Sequence, residues 1–353
     1  MKTLMAAAAA AAMFTGLAHA EDKLKIGYVY VGPIGDFGWT YQHDQGRLAV
    51  EKEFGDKVET SYVENVSEGP DAERVIRQLA ADGNGLIFTT SFGFMNPTVK
   101  VAERFPDVKF EHATGYKRLD NLGTYSSRFY EGRYIIGQIA GRMSMSGIVG
   151  YIASFPIPEV VRGINSFMLG MQSVRPDAQV KIIWVNSWFD PGKEADAAKA
   201  LIDQGADILA QHTDSPAAMQ VAEQRGVKAF GQASDIIQFG PNAQLTSIVD
   251  DWASYYIART KAVLDGTWTS DDTWGGLADE MVVMAPYTNM PDDIAQMARE
   301  TEESIRSGQF HPFTGPIFKQ NGEEAAKEGE VLSDEVLLGM NWYVKGITDT
   351  LPQ

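Results

Sequence analysis

The stretch "LKIGYVYVGPIGDFGWTYQHDQG", residues 24–46, joins an apolar run to a segment rich in glycine, aromatic residues and carboxylates. The apolar part has the length and composition of a buried strand. The glycines and Pro33 suit a turn, but a turn does not require the side chains that follow, which are Asp36, Phe37, Trp39, Tyr41 and Asp44. The stretch therefore indicates either a ligand-binding loop after the first strand or an aromatic plug beneath that loop.

The alternation of short apolar runs with longer amphipathic segments continues along the chain. "VETSYVENV" (58–66) and "GLIFTTS" (85–91) predict further strands, and helices are predicted over 42–55 and 70–83. This rhythm is typical of a parallel sheet with helices on both faces. It starts again at "GIVGYIAS" (147–154). The sequence thus predicts an α/β protein with two doubly wound parallel-sheet lobes.

The predicted lobes are discontinuous in sequence, because a late strand, "EMVVMAPY" (280–287), implies that the chain crosses back between them. We assign 21–145 plus about 249–285 to lobe I, and 146–248 plus about 286–353 to lobe II. Two facing lobes of this kind leave a cleft, which is where ligands bind in open α/β sheets.

The first twenty residues, "MKTLMAAAAAAAMFTGLAHA", have the pattern of a cleavable secretory signal peptide. Lys2 precedes an apolar run that is too short to span a bilayer, and Ala18-His19-Ala20 forms an A-x-A cleavage site. The chain contains no cysteine, so neither disulfides nor a lipid-bearing N-terminal Cys are expected. These features predict a periplasmic protein that is not lipid-anchored.

Composition and motifs argue against two functional classes. The formal net charge of −17 would repel a phosphate backbone, so nucleic acid is not an expected partner. The motifs G-x-S-x-G, H-E-x-x-H and C-x-x-C do not occur. His212 and Asp214 could supply two metal ligands, which is too few for a site. We expect no enzymatic activity, no metal and no cofactor.

The loops that follow the predicted strands repeatedly combine aromatic residues, carboxylates and small residues. This recurrence favours ligand binding over a plug, since the carboxyl ends of parallel strands meet at one edge of a sheet. The candidate residues in these loops are Asp36, Trp39, Phe92, Phe94, Asn96, Trp188, Phe189, Asp214 and Asp235.

Several motifs occur in the same order in a known family. "GDFGWTYQHDQG", "FYEGRYIIGQIAG", "QGADILAQHTDSP" and "FTGPIFKQNGE" lie between about Lys25 and Lys319. In this order they resemble the basic membrane protein family of ABC-transporter substrate-binding proteins, which includes purine nucleoside receptors. The resemblance implies a type I periplasmic-binding-protein fold with a multi-segment hinge. It also implies that the protein closes on its ligand and delivers it to an ABC permease in the inner membrane. From the signal pattern, the missing cysteine and the doubled strand–helix rhythm, we expect a monomer.

The resemblance also assigns roles within the cleft. Trp39 stands where an aromatic stacks on the purine, and Trp188 or Phe189 resembles the second stacking partner. Asn96 replaces a usual aspartate, and Asp235 matches an aspartate that contacts the ligand. The lysine of the nucleoside binders is absent from "SIVDDW" (247–252), which contains Asp250 instead. A carboxylate accepts the N–H of a free base, so this departure favours a purine base, specifically adenine.

The residues leave other interpretations open. Trp39 could be a core tryptophan, and Phe92 and Phe94 could plug loops. Asp235 and Asp250 could be helix N-caps. The ligand could be a purine nucleoside or another flat heterocycle such as riboflavin. The same fold could also present its ligand to a membrane receptor as a periplasmic sensor.

Overall fold

The computed structural model describes residues 23–35 and 37–352. The predicted signal peptide, residues 1–20, and the candidate residue Asp36 lie outside this part. Within it, no helix is both long enough and apolar enough to cross a membrane. The helices are α1 (Gly38–Phe54), α2 (Pro70–Ala81), α3 (Met95–Ala102), α4 (Tyr130–Met143), α5 (Pro158–Val174), α6 (Pro191–Asp203), α7 (Ala217–Arg225), α8 (Ala253–Leu264), α9 (Asp292–Arg306) and α10 (Asp334–Leu338).

Two six-stranded sheets form the centres of the two lobes. The first has the order β11-β5-β4-β3-β1-β2, and the second has the order β12-β10-β9-β8-β6-β7. All neighbours are parallel except β12, which is antiparallel to β10. The strands are β1 (Leu24–Val29), β2 (Val58–Val63), β3 (Leu86–Thr89), β4 (Lys109–Ala113), β5 (Leu122–Ser127), β6 (Ile148–Ala153), β7 (Gln179–Trp184), β8 (Ile208–His212), β9 (Lys228–Ala233), β10 (Gln244–Asp250), β11 (Asp272–Gly275), β12 (Val282–Met284), β13 (Ile317–Phe318) and β14 (Glu324–Ala326).

These sheets confirm the predicted α/β fold class with two parallel-sheet lobes. The central strands β3 and β8 are buried along their whole length, as expected for parallel strands covered by helices on both faces. The hairpin β13–β14 and helix α10 follow the second sheet and pack on its lobe, because Phe313, Leu337 and Tyr343 belong to the same buried cluster as Phe167 on α5.

The structure divides the chain between the lobes differently from the sequence in two places. Helix α4 packs on α5 in lobe II, whereas the sequence pattern places 130–145 in lobe I. The cause is close backbone packing: a Cβ atom at Gly137 would lie 2.2 Å from the carbonyl oxygen of Phe167. Strand β12 pairs with β10, so residues 282–284 also belong to lobe II rather than lobe I.

The chain crosses between the lobes three times, through residues 128–129, 251–252 and 276–281. The second crossing leads into α8, whose Tyr255 and Tyr256 pack with Ile26 and Tyr28 of the first sheet. Three adjacent crossings form a hinge with several segments.

Two local features differ from the sequence-based expectations. Helix α1 begins at Gly38, so Trp39 and Tyr41 lie in its first turn and not in a loop. Strand β5, "LGTYSS", was not predicted, because its glycine and hydroxyl residues do not resemble an apolar run. It is nevertheless almost wholly buried between β4 and β11.

Candidate functional site

A cavity with about 370 Å³ of empty space lies between the lobes, at the carboxyl ends of the strands. Lobe I supplies mainly aromatic and hydroxyl side chains, whereas lobe II supplies most of the charged and polar groups. The lining residues are Val31, Trp39, Ser91, Phe92 and Thr114 from lobe I, and Glu159, Trp188, His212, Asp214 and Gln232 from lobe II.

A wider vestibule of about 1010 Å³ adjoins this inner cavity and opens towards solvent. Trp39, Trp188 and Asp214 line both spaces, so the two are continuous. Glu159, His212 and Gln232 line the inner cavity but not the vestibule. The cleft therefore has a polar inner end and an outer end at Asp214.

Trp39 is held rigidly at the cavity by lobe I. Its indole Nε1 donates a 2.6 Å hydrogen bond to the carbonyl oxygen of Thr90. The ring meets His43 edge-to-face at 4.5 Å and Trp252 at 5.5 Å. Trp39 thus packs on the core and lines the cavity at the same time, and its orientation is fixed before any ligand arrives.

Trp188, and not Phe189, faces the inner cavity from lobe II. Its ring lies 5.0 Å from that of Phe155, and its Nε1 donates a 3.3 Å hydrogen bond to Glu68 of lobe I. Phe189 is 36 % exposed and lines only the vestibule. Neighbouring side chains in an extended segment point in opposite directions, which explains the division of roles.

Of the three candidates after β3, only Phe92 lines the cavity. Phe94 is fully buried in the apolar core of lobe I, which fits the alternative interpretation as a plug. Asn96 is exposed on α3, where its Oδ1 accepts a 2.8 Å hydrogen bond from Nζ of Lys117. The 3₁₀ turn Phe92–Phe94 and helix α3, which follow β3, turn these two side chains away from the cleft.

Asp214 lies where the start of α1 closely approaches lobe II. A Cβ atom at Gly38, which has a φ of +83°, would lie 2.8 Å from the Asp214 carbonyl oxygen, so only glycine permits this approach. Burial raises the pKa of Asp214 well above its usual value, and the charges of Glu194 and Asp250 add to this. The backbone N–H of Trp39 opposes the shift by hydrogen bonding.

The structure places Asp235 and Asp250 outside the cavity lining, which corrects their predicted place in the cleft. Asp235 lies on an exposed turn, where its Oδ1 accepts hydrogen bonds from the N–H of Ile237 (3.2 Å) and from Nε2 of Gln244 (2.7 Å). Its role is therefore close to the N-cap that the sequence left open. Asp250 is fully buried in the hinge and accepts a 2.8 Å hydrogen bond from Ser127.

Sequence reasoning missed two polar residues at the inner end. Glu159 begins α5 just after β6, and a survey of that strand end would have found it. Gln232 lies within β9, where no loop signal marks it. Arg133 donates a hydrogen bond to Oε1 of Gln232, so the NH₂ group of that amide remains free to donate into the cavity.

The two lobes contact each other beside the cavity. Phe37 of lobe I packs edge-to-face on Phe239 of lobe II, with the ring centroids 4.9 Å apart. The Gly38 N–H and Gln42 Nε2 both donate to Ser234 Oγ, at 2.8 and 3.1 Å. These contacts define a closed arrangement of the lobes around the cleft.

A family model described as the PnrA-like ABC transporter substrate-binding protein matches residues 23–310. The chain belongs to this family. Its members are substrate-binding proteins, so the chain is a binding protein and not an enzyme. Within the described part of the chain, no group of three or more His, Asp or Glu side chains could hold a metal ion.

Two individual relatives and one solved structure are also similar to this chain. A purine-binding protein of Brucella abortus is 65% identical over 99% of this chain and 100% of its own length. A Haloferax volcanii protein, named as an ABC transporter glucose-binding protein, is 40% identical over 94% of this chain and 82% of its own length. The crystal structure of an Aeropyrum pernix ABC transporter solute-binding protein matches with a TM-score of 0.69 at 18% identity, over 82% of this chain and 92% of the other.

Proposed function

We propose that this substrate-binding protein captures a free purine base, adenine, between its lobes and delivers it to an ABC permease. The observation that carries the proposal is the cavity itself. Trp39 and Phe92 of lobe I and Trp188 of lobe II line one space with the Asp214 carboxyl group. Aromatic rings from both lobes suit a flat ligand with polar edges.

Stacking supplies the first part of the affinity. Stacking of a base on an aromatic side chain contributes roughly 1–3 kcal/mol in complexes of proteins with nucleic acids. Trp39 is already anchored by Thr90, His43 and Trp252, so little side-chain entropy is lost when a ligand binds. Trp188 comes from the opposite lobe, so a ligand held between both rings favours the closed arrangement.

The preference for a base over a nucleoside rests on Asp214. Asp250 lies in the hinge, so it no longer supports this preference. Asp214 lines the cavity at its junction with the vestibule. A sugar attached at N9 of the purine would have to extend through this junction into the vestibule. A free base presents its N9–H to the carboxylate there, whereas a nucleoside has no hydrogen at N9. Asp214 already accepts from the Trp39 N–H, and the loss of this additional donor at a buried carboxyl group costs roughly 1–3 kcal/mol, or about 5- to 150-fold in affinity.

The purine-binding relative supports a purine ligand, and the family supports delivery to a permease. We further propose that the protein acts in the periplasm, on the basis of the signal-like segment 1–20, and that it is a monomer, because both sides of the cleft come from one chain. The alternative is a sensor that presents its ligand to a membrane receptor. Uptake of labelled adenine by cells with and without the gene distinguishes the two roles, because a sensor would leave uptake unchanged.

A thermal-melt screen tests the ligand class. Bases, nucleosides, riboflavin and glucose are each added at equal concentration, and the stabilisation follows the ratio of ligand concentration to Kd. At a hundred times Kd the expected stabilisation is about 2.7 kcal/mol. Adenine is expected to raise the melting temperature most. Stabilisation by glucose or riboflavin without any effect of purine bases would contradict the proposal.

A further inference from the structure

The inner end of the cavity contains polar groups that stacking does not explain. Oε1 of Glu159 lies 3.8 Å from Nε2 of His212, which is too long for a direct hydrogen bond. Both residues line the cavity, and both are largely buried. Burial is the main cause that lowers the pKa of His212, so the imidazole is neutral and cannot offset the charge of Glu159.

Two buried arginines act on the charge of Glu159, and an amine that donates to its carboxyl group would favour the ionised form further. Burial raises the pKa of Glu159, but the charges of Arg162 and Arg133 oppose the shift. Arg133 also fixes Gln232, because its Nη2 donates to Oε1 of that amide. The inner end therefore presents an acceptor, the Glu159 carboxylate, together with a donor, the NH₂ group of Gln232.

The position of Asp214 sets the direction in which a flat ligand lies. Asp214 lines both cavity and vestibule, whereas Glu159 and Gln232 line only the inner cavity. If the N9–H edge faces Asp214, the six-membered ring and its exocyclic group point inward. In adenine that group is an amine, which donates, next to the ring nitrogens N1 and N7, which accept.

We propose that Glu159 is the specificity-determining residue that selects 6-amino purines over 6-oxo purines. Its carboxylate accepts an N–H of the exocyclic amine, while the Gln232 amide donates to a neighbouring ring nitrogen. A 6-oxo purine places a carbonyl oxygen against the carboxylate, so two acceptors meet and neither is satisfied. This inference rests on the proposed purine-base function and assigns the inner edge of the same site.

The test is calorimetry with adenine and hypoxanthine, on the wild-type protein and on Glu159→Gln. Wild type is expected to prefer adenine by at least a hundredfold. The glutamine variant can turn its NH₂ group towards a carbonyl, so the preference should fall at least tenfold. The control Asp235→Asn neutralises a carboxylate outside the cavity, and it should leave the ratio unchanged. An unchanged ratio in a Glu159→Gln variant that binds adenine overturns the inference.

A measurement on the wild type alone covers the case in which the variant does not fold. N6,N6-dimethyladenine has no exocyclic N–H, and unsubstituted purine has no exocyclic group. Both should bind at least tenfold more weakly than adenine. Wild type that binds adenine and hypoxanthine equally contradicts the role of Glu159 but leaves the purine-base function intact. Wild type that binds no purine contradicts both proposals.

Discussion

Ser127 donates a 2.8 Å hydrogen bond to Oδ1 of Asp250, and this bond joins the two lobes at the hinge. Ser127 is the last residue of β5 in the first sheet, and Asp250 is the last residue of β10 in the second. Both are buried. Because each residue directly precedes a crossing between lobes, the bond connects two of the three hinge segments.

Removal of this bond should destabilise the protein. Ser127→Ala leaves the Asp250 carboxyl group buried without its donor, and Oδ2 already has no partner among the described residues. The expected loss is roughly 1–3 kcal/mol in the free energy of unfolding, measured by urea denaturation. A double-mutant cycle with Asp250→Ala is the control. A coupling energy near zero would show that the pair contributes nothing to stability.

The lobes should separate when no ligand is bound. The closed arrangement depends on a few contacts between lobes, such as Phe37 with Phe239 and Ser234 with Gly38. Rotation about the hinge breaks these contacts without disturbing either sheet. X-ray scattering should therefore give a smaller radius of gyration with adenine than without it. An identical radius in both states would indicate a cleft that is closed before binding.

The aromatic residues should differ in their contribution to affinity according to their position. Trp188→Ala removes a ring that lines the inner cavity, and we expect a loss of about 5- to 150-fold in adenine affinity by calorimetry. Phe189→Ala is the matched control, because that ring lines only the vestibule and should change the affinity less than threefold. Equal losses in the two variants would disprove the assignment of Trp188 to the ligand face.

Glu131 should make stability depend on pH. Its carboxyl group is buried beside the third hinge segment and accepts a 2.8 Å hydrogen bond from the Leu277 N–H. Burial raises its pKa from 4.5 to about 7. The folded state thus binds this proton more tightly than the unfolded chain, so stability falls as the pH rises from about 4.5 to 7.

The variant Glu131→Gln keeps an acceptor for Leu277 but cannot ionise. Its free energy of unfolding should match that of wild type at pH 4.5 and exceed it at pH 8 by on the order of 1–3 kcal/mol. Other buried carboxyl groups titrate equally in both proteins, so the difference isolates Glu131. Parallel stability profiles of wild type and variant would rule out this titration.

The regular alternation of strands and helices made the fold class predictable, since parallel strands such as β6 and β8 begin as short apolar runs between amphipathic helices. The same rule failed for β5, whose glycine, threonine and serines are buried by neighbouring strands and not by their own hydrophobicity. The membership of α4 in lobe II was also not predictable. It depends on close packing of α4 against α5, where Gly137 and Gly141 lie against the α5 backbone.

For the site, the positions that follow strands were informative but not sufficient. Trp39, Phe92, Trp188 and Asp214 line the cavity as this rule predicted. Asp235 does not, because a turn directs its carboxylate to Ile237. Glu159 follows β6 closely enough for the same rule to find it, whereas Gln232 lies within β9, so only the packing of the lobes shows that it reaches the cleft.

The most direct test of the account is calorimetry of the wild-type protein with adenine and adenosine in parallel. Asp214 lies at the junction of cavity and vestibule, and we propose that its carboxyl group accepts the N9–H that only the free base has. We predict one binding site per chain and an affinity for adenine that is about 5- to 150-fold higher than for adenosine. Equal affinities, or tighter binding of adenosine, would contradict the central claim.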